Sequence, residues 1–269
     1  MSTIKVQNIQ HTGSSTNAIA LASDGSCTAN ITNRTNKNLI LNGAFQIAQR
    51  GVSSTTSGYG SVDRFKCEYS GTDEATTQAQ VDVASGTTPY TLGFRKAYKV
   101  TNGNQTSGAG SSDRITILHL IEAQDMANSG WNYLSSSSYI TFSYWVKSSV
   151  AQNFYVRFKS ADTTSQAYVI ETGSLSADTW TKITKTISGN SNIVFNNDNG
   201  EGLEITWELF RGTDQTGTRP LNAWAASDNA TRTPDQTSTW YTTNDATFEI
   251  TGVQLEVGSV ATDFEHRSF

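Results

Sequence analysis

Alternation of apolar and polar residues at period two is the dominant pattern along this chain. In "YITFSYWVKS" Ile140, Phe142, Tyr144 and Val146 share one parity, and in "QNFYVRFKS" Phe154, Val156 and Phe158 do the same. In "LEITWELFR" the shared positions are Leu203, Ile205, Trp207 and Leu209. Such spacing predicts strands that bury one face. The short "SVA" between the first two runs predicts that they pair as an antiparallel hairpin. "VDRFKCEY", "TTQAQVDVA", "FRKAYKVTN", "DRITILHLIEA" and "WTKITKTIS" add further strands, and "AQDMANSG" predicts one helical turn. The closing run "TFEITGVQLEV" changes phase halfway. Phe248 and Ile250 lie on one parity, and Val253, Leu255 and Val257 on the other. Gly252 stands at the step, which predicts a β-bulge there. Roughly ten short strands with turn signals and no long helix predict an all-β fold, an antiparallel two-sheet jelly-roll sandwich.

The first part of the chain differs from the rest. "IKVQNI" and "NAIALASDGSCTANI" predict short strands, the latter two around a Ser23-Asp24-Gly25-Ser26 turn. They carry Ala, Ile and Leu but no aromatic, so they offer too little apolar area to be stable alone. Residues 1–37 are therefore expected to be an attachment and oligomerisation segment, and residues 38–269 the main domain. Covering each thin apolar face with two further copies predicts a homotrimer. At the other end, "ATDFEHRSF" places Phe264 and Phe269 around Glu265-His266-Arg267, a pattern suited to clasping a neighbouring domain or subunit.

Composition narrows the function classes. Hydrophobic residues make up 36% and charged residues 16%; Ser, Thr, Asn and Gly fill the balance and favour turns and sheets. The net charge of −5, with no Lys/Arg stripe, argues against nucleic acid or an anionic membrane as the partner. No apolar run reaches membrane-spanning length, so no membrane insertion is expected, and "MSTIKVQNIQ" lacks a hydrophobic signal region. Cys27 and Cys67 imply neither a disulfide framework nor a zinc site.

Four segments in order resemble a domain of tail-fibre and other virion proteins of tailed bacteriophages, including phages of marine cyanobacteria. They are "NLILNGAFQIAQRG" (38–51), "SVDRF" (61–65), "IEAQDMANSGWNYLSSSSYITFSYWVKS" (121–148) and "FEITGVQLEVGSVATDFEHRSF" (248–269). "NGAF" and "ITGVQLE" also resemble the first and last strands of jelly-roll carbohydrate-binding modules. Many of those modules hold a structural calcium through an acidic residue just after the opening Phe. Here that position is Gln46, and Thr251-Gly252 replaces a common aspartate, so no metal is expected. The resemblance implies a phage virion protein, a tail-fibre or receptor-binding component that adheres to host surface glycan or lipopolysaccharide. Residues 1–37 would then join it to other virion proteins. The alternatives are a capsid-decorating or head-fibre protein, a cellular carbohydrate-binding module, and a glycan-degrading enzyme.

Residue chemistry points away from catalysis. Glu249 shares the alternation of a solvent-facing sheet surface rather than pairing with a second carboxylate. His11, His119 and His266 lie far apart with no metal-ligand spacing, and His119 reads as a packed or hydrogen-bonded strand residue. No serine sits in a Gly-x-Ser-x-Gly context, and the glycine-containing turns lack a following helix. No cofactor is expected. Asp63-Arg64 beside Phe65 reads as a structural pair, with Arg64 in a buried bridge to a carboxylate. Trp145, Trp180 and Trp207 fall in alternating strands and read as packing residues. The long polar segment 219–244 is the remaining candidate, because loops of that length in a compact domain often carry function. Trp224, Trp240 and Tyr241, with Arg219, Asp228 and Asn229, would suit a glycan by ring stacking and planar polar contacts. The competing reading is that these tryptophans pin the loop onto the sheet.

Overall fold

The computed structural model describes residues 6–13, 15, 18–21, 23, 27–29 and 36–266, without the side chains of 27–29. The chain forms two compact units, residues 1–36 and 37–269. In the first, β1 (Asn8–Ile9), β2 (Ile19–Leu21) and β3 (Cys27–Ala29) make a three-stranded antiparallel sheet. Val6, Ile9 and Leu21 are exposed there. Asp24, Gly25 and Ser26 of the expected turn lie outside the described residues, as do Arg267 and Phe269.

The second unit is an antiparallel jelly-roll sandwich of two six-stranded sheets. Its elements run β4 (Ser53–Ser54), β5 (Phe65–Ser70), β6 (Thr77–Asp82), α1 (Thr88–Thr91), β7 (Lys96–Thr101), β8 (Arg114–Glu122) and α2 (Ala123–Ala127). There follow β9 (Tyr139–Ser148), β10 (Asn153–Ser160), β11 (Gln166–Ser174), β12 (Thr181–Ser188), β13 (Glu201–Arg211), β14 (Trp224–Ala226), α3 (Thr239–Thr242) and β15 (Thr247–Val257). One sheet has the order β14-β11-β10-β13-β8-β5, the other β12-β9-β15-β7-β6-β4. The predicted apolar parities are those that face inward. Phe142 meets Phe158 edge-on at 5.0 Å, and Trp207 sits within 6.0 Å of Phe65, Phe142 and Tyr144 by ring centroid.

The predicted β9–β10 hairpin does not form. The two strands lie in opposite sheets, and the link between them turns on Ser148, whose Oγ binds the backbone of Val150. Both strands present an aromatic face, and stacking those faces across the sandwich buries them more fully than side-by-side pairing would.

The bulge at Gly252 is present. Register shifts between Thr251 and Gln254, and Gly252 has φ +62°. A Cβ at this position would lie 2.6 Å from the Phe94 ring, so both the conformation and the space require glycine. Residues of the first and last of the four ordered segments hold the two ends of the domain to β15. Asn38 donates to the Val253 carbonyl and accepts from the Leu255 N–H. Glu256 accepts from the N–H and hydroxyl of Thr262, and Gln254 accepts from the Glu265 N–H. Phe264 packs edge-on against Phe94 at 4.9 Å. Residues 262–265 of the tail thus seat on their own domain, where β15 offers a row of side-chain acceptors beside an apolar patch.

Glu249 lies on the outward parity as expected, yet it is buried and paired with Lys147 at 3.0 Å. Arg64 departs from expectation. It is exposed with φ +71°, which turns its side chain outward, and Asp63 pairs instead with Arg50 at 3.1 Å. His119 is a buried strand residue as expected, 3.1 Å by Nδ1 from the Arg64 carbonyl and 4.6 Å from the Phe65 ring. Cys67 is a buried free thiol, pushed up to about 12 by burial.

Candidate functional site

The structure disperses the six residues singled out in the 219–244 segment. Trp240 and Tyr241 lie in α3 and face the core, with exposures of 0% and 1%. The Trp240 indole donates to the Thr247 carbonyl at 3.0 Å. Tyr241 stacks on Phe210 at 4.2 Å and donates to Asp113 at 2.9 Å. Their ring faces are covered by protein, which corrects the expectation that they are open to a sugar. Trp224 is half-buried at the sheet edge, against Tyr168 at 5.4 Å, with its indole N–H on the Ser188 carbonyl at 2.7 Å. Arg219 is also buried. Its guanidinium donates to the carbonyls of Ala167, Ala225 and Ala226, so it staples β14 to β11 rather than facing a ligand. Asp228 closes its own turn, accepting from the Ala230 N–H and the Thr231 hydroxyl, which lower its pKa. Asn229 lines a groove, and that groove defines the candidate site.

The cavity is a groove of about 550 Å³ on the outer face of the β14-β11-β10-β13-β8-β5 sheet. Period two places its floor. With Ile115, Ile117 and Trp207 inward, the opposite parity turns Thr116, Leu118 and Glu204 outward. Lys66 and Glu68 from β5 and Arg114 and Arg211 from the strand ends complete the floor, while Asp214, Asn229 and Arg232 from the covering segment form a wall.

An ion network fastens that wall to the sheet. Arg157 of β10, wholly buried, contacts Glu204 at 3.0 Å and the Ser227 hydroxyl at 2.5 Å. Arg211 contacts Glu208 at 2.7 Å, and Arg232 spans Glu204 at 3.5 Å and Glu208 at 3.6 Å. Burial lowers Arg157 to about 10, with the nearby charge of Arg232 adding to it, which leaves it charged at neutral pH. Burial alone would raise the Glu204 carboxyl, but Arg157, Lys159 and Arg232 outweigh it and hold Glu204 below its ordinary value. Glu201 moves the other way, raised by burial and by the charge on Glu204. Among the described residues, no group of three or more His, Cys, Asp or Glu side chains gathers where it could hold a metal ion.

A second cleft of about 480 Å³ is lined by Tyr59, Arg50, Arg64, Leu120, Glu122 and Glu201, among others. Tyr59 is 42% exposed, with Arg50 and Lys66 each 5.8 Å from its ring centroid. The sequence signal for the first groove was the polar parity of the same strands that supplied the core, Thr116 in β8 and Glu204, Thr206 and Glu208 in β13. What hid it was the fold of the covering segment, which no local pattern reports.

No protein-family model matches the chain, and no curated protein matches it in sequence. Solved structures are similar at the level of the sheet arrangement. One is the enzymatically active domain of tailspike protein 4 from bacteriophage CBA120, with 10% identity, TM-score 0.44 and 82% of this chain covered. The match spans 21% of that tailspike chain. Another is a family 11 carbohydrate-binding module of a Clostridium thermocellum cellulosomal cellulase, with 11% identity, TM-score 0.35, and 80% and 98% of the two chains covered. A third is a cyclase from Fischerella sp. TAU, with 10% identity, TM-score 0.44, and 83% and 98% covered. The architecture defines the class, an antiparallel jelly-roll sandwich with a polar groove on one sheet.

Proposed function

We propose that this chain is a non-catalytic virion protein of a tailed bacteriophage, a tail-fibre or receptor-binding component that adheres to host surface glycan through the groove of Lys66, Arg114, Glu204 and Asn229. The observation that carries the glycan reading is that groove. Its floor is a rigid sheet presenting planar guanidinium, carboxylate and amide groups, the donors and acceptors that recognise sugar hydroxyls. The phage reading rests on the four ordered segments from Asn38 to Phe269. Their motif residues here serve the domain itself, clamping both ends to β15.

Lys66→Ala combined with Asn229→Ala is expected to weaken binding to polysaccharide released from the host surface by about tenfold, since each removes one hydrogen-bonding group. Titration calorimetry measures it, and unchanged affinity would move the ligand elsewhere. Glu201 and Glu204 titrate in opposite senses, which is the one feature that favours an enzymatic reading. Release of reducing ends from that polysaccharide, abolished by Glu201→Gln, would establish that reading instead.

Residues 1–37 serve in this proposal as the junction to other virion proteins and as the trimerisation element, and the exposed Ile9 and Leu21 supply apolar surface for it. Light scattering is expected to give a trimer for the full chain and a monomer for a chain starting at Asn38. A monomeric full chain at micromolar concentration would end the trimer proposal.

A further inference from the structure

The groove contains one arrangement that neither sheet formation nor the ion network explains. Arg114 and Arg211 are directly opposite each other in the β8–β13 register. Both sit at the groove, so two guanidinium groups project side by side. Like charges placed directly across a ladder destabilise it, and a threonine at 114 would serve the sheet better. Arg211 has its counter-charge, the Glu208 carboxylate at 2.7 Å, and also hydrogen-bonds Gln215. Arg114 has none. Among the described residues its half-buried guanidinium makes no hydrogen bond and no ion pair, although three carboxylates line the same groove. Each of those three is engaged elsewhere: Glu68 by Lys66 at 2.6 Å, Glu204 by Arg157, and Asp214 by the Ser111 hydroxyl at 3.0 Å.

We propose that the groove selects carboxylate-bearing sugars, with Arg114 taking the carboxylate. This rests on the reading of the groove as a glycan site. A guanidinium fork matches a carboxylate with two parallel hydrogen bonds, and a bound carboxylate would also relieve the Arg114–Arg211 repulsion. That repulsion is felt at Arg211, which burial pushes down in pKa and which the neighbouring Arg232 and Arg114 charges push down further. Asn229 on the opposite wall presents a side-chain N–H₂ for which the described residues show no partner, suited to a ring hydroxyl of the same sugar. The chain as a whole is acidic, with a net charge of −5. An acidic glycan therefore gains nothing from general attraction and has to be recognised locally.

The test uses the full chain and a panel that pairs uronic-acid oligosaccharides with their methyl esters and adds neutral hexose oligosaccharides. The free acids are expected to bind, the esters at least about tenfold more weakly, and the acid affinity to fall with added salt. Arg114→Ala should lose on the order of tenfold to a hundredfold in affinity for the acid, with Arg114→Lys intermediate. The melting temperature of Arg114→Ala should stay level or rise, because an opposed like charge is removed. Equal binding of acids and esters, or of neutral sugars alone, would overturn the selectivity and leave the glycan groove standing. Acid binding that ignores Arg114→Ala, or a marked fall in melting temperature for that variant, would overturn the role of Arg114. If no sugar of any kind binds, the reading of the groove itself falls.

Discussion

Trp207→Ala is expected to destabilise the sandwich by about 3–5 kcal/mol, the cost of emptying a large aromatic site in a packed core. Trp207 is fully buried on β13 and lies between Phe65 of one sheet and Phe142 and Tyr144 of the other. These neighbours are anchored on β5 and β9, in opposite sheets, so the cavity has no cheap way to collapse. Trp207→Phe keeps much of the ring volume and is expected to cost less than half as much. Urea unfolding of the two variants measures the difference. A loss below about 1 kcal/mol for the alanine variant would show that the two sheets do not meet on this residue.

Acidification is expected to remove about 3 kcal/mol through His119 alone. Burial lowers its pKa from 6.5 to about 4, against a smaller opposing effect from the Arg64 carbonyl. The folded chain thus keeps the imidazole neutral where the unfolded chain takes up a proton. This contribution is complete above pH 6.5, declines as pH falls from there, and levels off below about 4. His119→Gln removes the titration, so the difference in unfolding free energy between variant and parent should narrow steadily from pH 7 to pH 4. A constant difference across that range would mean that His119 takes up its proton as readily in the folded chain as in the unfolded one.

The two predictions rest on different kinds of legibility. Trp207 was readable because its parity with Leu203, Ile205 and Leu209 can be satisfied only by burying that side of β13. The bulge at Gly252 was readable for the same reason, since two apolar parities in one strand must be reconciled by an inserted residue. Arg64 was misjudged because a positive φ redirected its side chain, and no neighbour in sequence announces that. For Trp240 the sequence left two readings, a sugar-stacking ring or a pin for the loop, and its burial fits the second. Tyr241 was expected at the surface because a long polar segment reads as exposed. One turn of helix within it, with Asn102 donating to the carbonyls of both residues, draws their rings into the core.

By itself the sequence determined which residues face inward on each strand, where the closing strand is bulged, and that the core is aromatic. Those outcomes follow from period two and local sterics, which act between near neighbours in the chain. The tertiary structure alone decided that β9 and β10 belong to opposite sheets, that the tail seats on β15, and that Asn229, Ala230 and Arg232 wall a groove over β8 and β13. It also decided that Arg114 faces Arg211 and that, among the described residues, no carboxylate pairs with Arg114. Those outcomes depend on which strands become neighbours, and that choice is set by how two apolar faces bury each other across the whole domain.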